Sequence, residues 1–185
     1  KKEVWIRPEF AKQLAIYEKM LREPEGEILV EGEKAMTSTT NKWTTSTLFD
    51  AIKEEELFLS GRATVELIDG IEPALHIVMS DFGDLPVFLT VSGEQIVVES
   101  VLWSISEVKD AAKFNDLVLR THKYFPLSTI SLDQMNDGTD YYHMFGALSA
   151  SSLMNNIILE VEVLASNVIQ VTEAYSEFLV IPVEA

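Results

Sequence analysis

The stretch Leu85–Leu102 constrains this chain more than any other. It reads LPVFLTV, then SGE, then QIVVESVL: two apolar runs around one Gly-containing turn. That pattern predicts a hairpin of two strands. Along the first run Val87, Leu89 and Val91 alternate with Phe88 and Thr90, so the two sets face opposite ways. Both sets hold apolar residues, which predicts a central strand covered on both sides. Glu99 interrupts the run IVVESVLW. A half-exposed strand face accounts for it more simply than a carboxylic acid held protonated.

Further strands precede the hairpin. Ala63–Ile68 ends at the turn signal Asp69-Gly70, Ala74–Met79 follows, and SDFGD (80–84) makes the next turn. The DFG within it matches part of a kinase metal loop, but no Gly-rich phosphate loop or HRD accompanies it, so it reads as a turn. Downstream, Leu127–Leu132 and Tyr141–Leu148 form a second strand pair around Asn136-Asp137-Gly138. DQMNDG has part of a calcium loop's spacing. Met135 and Met144 stand where ligands are needed, which rejects an EF-hand.

Three helices accompany these strands. Thr44–Glu55 is capped by Thr45 or Ser46 and turns Leu48, Phe49 and Ile52 inward. The Glu54–Glu56 cluster is a solvated face, since neighbouring helical carboxylates point apart. Ser106–Tyr124 starts at Ser106 and is closed by Pro126. Its inward stripe is Ala111, Phe114, Val118, Thr121 and Phe125. Lys109, Lys113, Arg120 and Lys123 lie opposite with Asp116, and are candidate partner-binding residues. The plainer reading of this face is a solvated surface with an Asp116–Arg120 pair. The last helix, about Ser151 to Tyr175, carries Leu153, Ile157, Val161, Leu164, Val168, Val171 and Tyr175 on one stripe, widened by Met154, Ile158, Ala165 and Ile169. Leu159 and Val163 sit on its polar back, and are candidate dimer contacts. The tail 177–185 contains FLVIPV, an added strand or an ordered end.

The N-terminal part reads differently. Pro8–Arg22 predicts an amphipathic helix with Phe10, Leu14, Tyr17 and Leu21 on one stripe. Residues 23–43 read as a linker, with a short strand at Ile28–Val30. Met36 offers an alternative start, which would make 1–35 an appended extension. Residues 1–22 carry six Lys/Arg against three Glu, a net +3; the chain's −16 less this +3 leaves −19 for the rest. Such a basic arm could dock on an acidic body or a membrane surface. The expected organisation is thus helix 1–22, linker 23–43, one α+β domain 44–176, and tail 177–185.

Composition excludes several classes. A net charge of −16 would repel a phosphate backbone, so nucleic acid is not an expected partner. The absence of cysteine removes disulfides, thiolate zinc sites and cysteine nucleophiles, and fits a reducing cytoplasm. No run reaches the roughly 18 apolar residues of a membrane span, and KKEVWIRPEF has no signal core. G-x-S-x-G, H-E-x-x-H, Walker and G-x-G-x-x-G motifs are all missing. His76, His122 and His143 are scattered and read as structural, with His122 favourably placed at a helix end. No acid–base pair, metal set or cofactor motif emerges.

The runs DFGDLPVFLTVSGEQIVVESVLW (81–103), FNDLVLRTHKYFPLSTISL (114–132) and DYYHMFGALSASSLMNNIILEVEVLASNV (140–168) resemble the bacterial YjfI family of uncharacterised proteins. LRTHKYFPLS and YYHMFGALS carry most of the resemblance, which spans about residues 45–175. It implies association with phage-shock-protein-A-like membrane-remodelling proteins. The order α-βββ-α-ββ-α is also similar to the type III secretion chaperone-like fold, including YbjN-like proteins, typically acidic, often dimeric, protein-binding modules. The expectation is an α+β domain with helices packed on an antiparallel sheet. It would act as a non-enzymatic, chaperone-like interaction module in the cytoplasm, homodimeric, with a phage-shock-protein-A-like coiled coil as partner. A small-molecule-binding regulatory domain or an unrecognised enzyme is the alternative; a cleft gathering His122, His143 and Glu99 would favour it.

Overall fold

The computed structural model describes residues 42–180 apart from 71, 136 and 137. The expected helix at 8–22, the strand at 28–30 and the Asn136-Asp137 part of the second turn lie outside the described residues. The elements are α1 (Thr45–Ile52), α2 (Glu56–Leu59), β1 (Ala63–Ile68), β2 (Ala74–Met79), β3 (Leu85–Ser92), β4 (Gln95–Ser104), α3 (Ala111–Thr121), β5 (Thr129–Gln134), β6 (Asp140–Ser149) and α4 (Met154–Ala174). The strands make one antiparallel sheet in the order β1-β2-β3-β4-β6-β5. The α+β class stands, and the first run of strands numbers four.

The hairpin β3–β4 occupies the middle of this sheet, because its strands are the most apolar and accept neighbours on both edges. Its two faces differ, however. Val87, Leu89, Ile96 and Val98 are buried beside Leu75, Ile77 and Met79 of β2 and Met144 of β6. Ile157, Val161, Leu164 and Val171 of α4 complete that core, and are themselves fully buried. Each such side chain contributes about 1.5–3 kcal/mol on burial. On the other face Phe88 and Thr90 are only half-buried and Pro86 is exposed. The expectation of cover on both sides is therefore corrected: the strand is interior to the sheet and covered on one face, among the described residues.

Helix boundaries also moved, each for a tertiary reason. α1 is capped by Thr44, not by Thr45 or Ser46. Thr44 Oγ1 accepts the Thr47 N–H (3.2 Å) and Thr47 Oγ1 accepts the Thr44 N–H (2.9 Å), a reciprocal box. It ends at Ile52, and the separate α2 buries Leu57. Five residues apart on one helix, Ile52 and Leu57 would point about 140° away from each other; the break lets both reach the core.

The helix expected over 106–124 is shorter. Ser104 and Glu107 close a 3-10 turn at Ile105–Glu107, and Asp110 caps α3 by accepting the Lys113 N–H (3.2 Å). The segment between them is pulled out of helix by the chain's end. Val108 bridges Leu179, the Lys109 N–H donates to the Phe178 carbonyl (2.9 Å), and the Val180 N–H to the Glu107 carbonyl (2.8 Å). The expected extra strand at the tail is thus, among the described residues, a single bridge.

α4 spans 21 residues, about 30 Å. Leu153 precedes it and is 72% exposed, and Ile169 is 49% exposed, so neither joins the buried stripe. Glu160 and Asn167 do, at 2% and 1% exposure. No described helix is long and apolar enough to cross a membrane.

Candidate functional site

α3 is held by an aromatic cluster. A bulge in β4 between Val101 and Ser104 inserts one residue and turns Trp103 into the core. There Phe114 meets Trp103 (5.9 Å), Tyr142 (5.0 Å) and Tyr175 (5.2 Å) edge-on, and the Tyr142 hydroxyl donates to Asn115 Oδ1 (2.7 Å). Such pairs add about 0.5–1.5 kcal/mol each beyond burial. With Phe114 and Val118 fixed inward, the basic residues point outward, as the spacing predicts.

Those charges are already engaged. Lys109 Nζ donates to the Glu177 carbonyl (2.8 Å), Lys113 pairs with Asp110 (3.0 Å), and Arg120 makes a two-pronged bond to Asp116 (2.8 and 2.9 Å). The guanidinium holds the Asp116 carboxyl below its usual range, and Lys113 does the same for Asp110. Lys123 lies over the Tyr124 ring (5.3 Å). What this surface leaves open is apolar: Leu119 is 75% and Tyr124 73% exposed, and Leu132 is partly exposed. Two grooves flank them. One, of about 200 Å³, runs between α3 and β5, lined by Val118, Leu119, Ile130, Leu132 and Tyr142 among others. The other, of about 390 Å³, lies between α3 and the end of α4, around Leu117, Tyr124, Phe125 and Phe178. β5 is the last strand of the sheet, so its outer backbone edge borders the first groove. Leu159, the other exposed candidate, is 50% exposed on α4, with Val163 half-buried four residues on.

The loop joining α3 to β5 is fixed from beneath. Leu127 adopts φ +62°, a left-handed conformation unusual for a branched residue. Asn167 Nδ2 donates to the Pro126 carbonyl (2.8 Å) and to Ser128 Oγ (2.9 Å), holding this turn. One face of α4 also carries Glu160, seven residues earlier. Its carboxylate packs against Gly146, close to the Leu127 carbonyl, and its Oε1 has no hydrogen-bond partner. Burial pushes the Glu160 carboxyl up from its ordinary value. The motifs LRTHKYFPLS and YYHMFGALS therefore meet at this point.

The sheet face opposite α4 carries a row running across all six strands: Glu66, His76, Phe88, Glu99, Phe145 and Thr129 are successive register partners. His76 Nδ1 bonds Glu66 (2.8 Å) and its ring stacks on Phe88 (5.1 Å). His122 Nδ1 bonds the Thr129 hydroxyl. Beside the row stands His143, whose Nδ1 is 3.7 Å from Glu99 Oε2. The structure thus brings Glu99 and His143 together. It leaves His122 engaged elsewhere, on Thr129 across from Phe145. Among the described residues no three His, Asp or Glu side chains converge as a metal set. Pattern reading missed Glu160 and Asn167, and it named Glu99 and His143 together only as a condition of the alternative reading, because each contact depends on two segments far apart in sequence.

The comparisons agree with the YjfI resemblance. The YjfI proteins of Escherichia coli K12 and O157:H7 are each 33% identical over 107 residues, covering 58% of this chain and 80% of theirs. A crystal structure of an uncharacterized protein from Methanothermobacter thermautotrophicus superposes with TM-score 0.52 at 11% identity, covering 74% of this chain and 99% of that one. At that identity the likeness concerns the fold alone. YbjN from E. coli gives TM-score 0.46 at 14% identity, covering 63% of this chain and 87% of that one. Residues 42–179 match the model of a family described as uncharacterized proteins conserved in bacteria (DUF2170), and the chain belongs to that family.

Proposed function

We propose that this domain is a non-enzymatic, chaperone-like protein-interaction module that acts in the cytoplasm and grips a helical partner at the α3–β5 surface. The observation that carries this is the exposed apolar pair Leu119 and Leu132 lining the groove of about 200 Å³, with exposed Tyr124 at the neighbouring groove of about 390 Å³. Large exposed side chains gathered at a groove are the usual mark of a docking surface. Arg120 and Lys123 would form its rim, steering an acidic helix while the apolar residues supply most of the affinity. Family context suggests a phage-shock-protein-A-like coiled coil as the partner. Self-association through Leu159 and Val163 is the second part of the proposal, supported by the half-exposure of Leu159 on the outer face of α4.

The test is titration of purified phage-shock-protein-A-like protein into the full chain by calorimetry. Binding that is lost in Leu119→Asp and Leu132→Asp, with unchanged urea midpoints, supports the assignment. Binding that survives both substitutions refutes the surface, and no binding by the wild type refutes the partner. Sedimentation decides the dimer: only monomer at micromolar concentration overturns it, and a dimer dissociated by Leu159→Asp supports it.

A further inference from the structure

His143 is the most exceptional polar side chain on the sheet face opposite α4. It is 6% exposed, and neither ring nitrogen has a hydrogen-bond partner. Buried imidazole nitrogens are ordinarily satisfied, and leaving one unpaired costs about 1–3 kcal/mol. The ring opens on a cavity of about 220 Å³ lined by Phe88, Glu99, Val101, Met135 and His143. One wall is a carboxylate, the others are apolar or aromatic.

In either neutral tautomer one acceptor nitrogen is left without a donor. A neutral ring always presents one acceptor nitrogen and one donor. If Nδ1 is the acceptor, it and Glu99 Oε2 are two acceptors 3.7 Å apart with no donor between them. If Nδ1 carries the proton, that distance is too long for a good hydrogen bond, and Nε2 becomes the acceptor without a donor. With Nδ1 as the acceptor, the cavity lacks a donor group beside a carboxylate. A positively charged donor satisfies both requirements, and a chain of net charge −16 raises the local concentration of small cations. The apolar remainder of the wall calls for a short hydrocarbon body. The volume is below the roughly 300–1,000 Å³ of drug-sized sites.

We propose that the Glu99–His143 cavity binds a small amine: an ammonium group held by Glu99 and His143, with a short alkyl body against Phe88, Val101 and Met135. This goes beyond the interaction module, whose surface lies on α3 and β5, and it stands or falls independently of that surface.

Butylamine is the probe, with butanol and butyrate as neutral and anionic counterparts. Each is titrated at neutral pH into the isotope-labelled full chain, and the His143 ring nitrogens are followed by NMR. The expected result is saturable displacement of those resonances by butylamine, in about the millimolar range for so small a ligand. Glu99→Gln should weaken it roughly tenfold or more, while Glu66→Gln, on the same sheet face but bonded to His76, should leave it unchanged. Failure of butylamine to saturate overturns the proposal. So does equal binding of butanol or butyrate. An equal loss in the Glu66 variant would reduce the effect to general surface charge and overturn the site. The wild-type comparison of three probes needs no variant to fold.

Discussion

Gly146→Ala tests the packing beneath the α3–β5 loop. Gly146 is buried in β6, and its φ is not among the positive values, so alanine is conformationally acceptable there. Replacing a strand glycine would by itself stabilise by about 0.5–1 kcal/mol. The surroundings reverse this. A Cβ built at Gly146 overlaps Glu160 Oε1 and lies 2.7 Å from its Cδ and 3.0 Å from the Leu127 carbonyl oxygen. Glu160 is 2% exposed in the middle of α4 and has no free route to water. Overpacking of this kind costs about 1–3 kcal/mol, and displacing a buried carboxyl adds to it, so a net loss of about 2–3 kcal/mol is expected. In a Glu160→Ala background the two closest clashes are gone and the Leu127 carbonyl oxygen at 3.0 Å is the tightest remaining approach, so the cost should fall to within about 1 kcal/mol of zero. The four proteins of this cycle are compared by urea unfolding. With m of about 1–3 kcal/mol/M, the Gly146→Ala midpoint should drop by about 1 M. A coupling energy near 2 kcal/mol is expected. Additivity within about 0.5 kcal/mol would refute the account of why glycine stands here.

Burial raises the Glu160 carboxyl above its ordinary value, so the folded state holds the proton more tightly than the unfolded chain. Its contribution is therefore fully present below that value and is lost as pH rises through the raised one, by about 1.4 kcal/mol for each tenfold difference in proton affinity. Glu160→Gln should gain stability over wild type across that rise and not below it; unfolding midpoints taken at several pH values check this. Leu127→Gly should raise the urea midpoint, since it removes about 1 kcal/mol of left-handed strain from a side chain that is 58% exposed. Asn167→Ala removes both bonds to the loop and should cost about 2–3 kcal/mol, with faster hydrogen exchange confined first to 126–129. Phe114→Ala should cost about 3–5 kcal/mol and quench the Trp103 environment in fluorescence.

How much of this was legible beforehand depends on the range of the interaction involved. β1 and β2 begin and end where their alternation and turn residues placed them, because strand character and turn chemistry are local properties. Most of the inward stripes of α3 and α4 were legible for the same reason, through helical spacing, though Leu153 and Ile169 stand outside the buried stripe. The start of α3 was not legible. It is set by backbone pairing between 107–109 and 178–180, about seventy residues away. Of the candidate basic residues, Lys113 and Arg120 lie on the outer face of α3, while Lys109 precedes the helix and Lys123 follows it in a 3-10 turn. Their engagement with Asp110, Asp116 and the Glu177 carbonyl follows from geometry, and it shifts attention to Leu119, Tyr124 and Leu132.

The sequence by itself determined an acidic α+β domain with a hairpin at its centre, since apolar periodicity and turn residues act over a few positions. Only the tertiary structure decided which face of that hairpin is covered. One face takes α4, so Val87 and Leu89 are core while Phe88 and Glu99 face outward. Alternation distinguishes two faces but carries no sign of which will be buried. The same assembly put Glu99 beside His143 and Glu160 against Gly146, contacts that exist only once β4, β6 and α4 have packed.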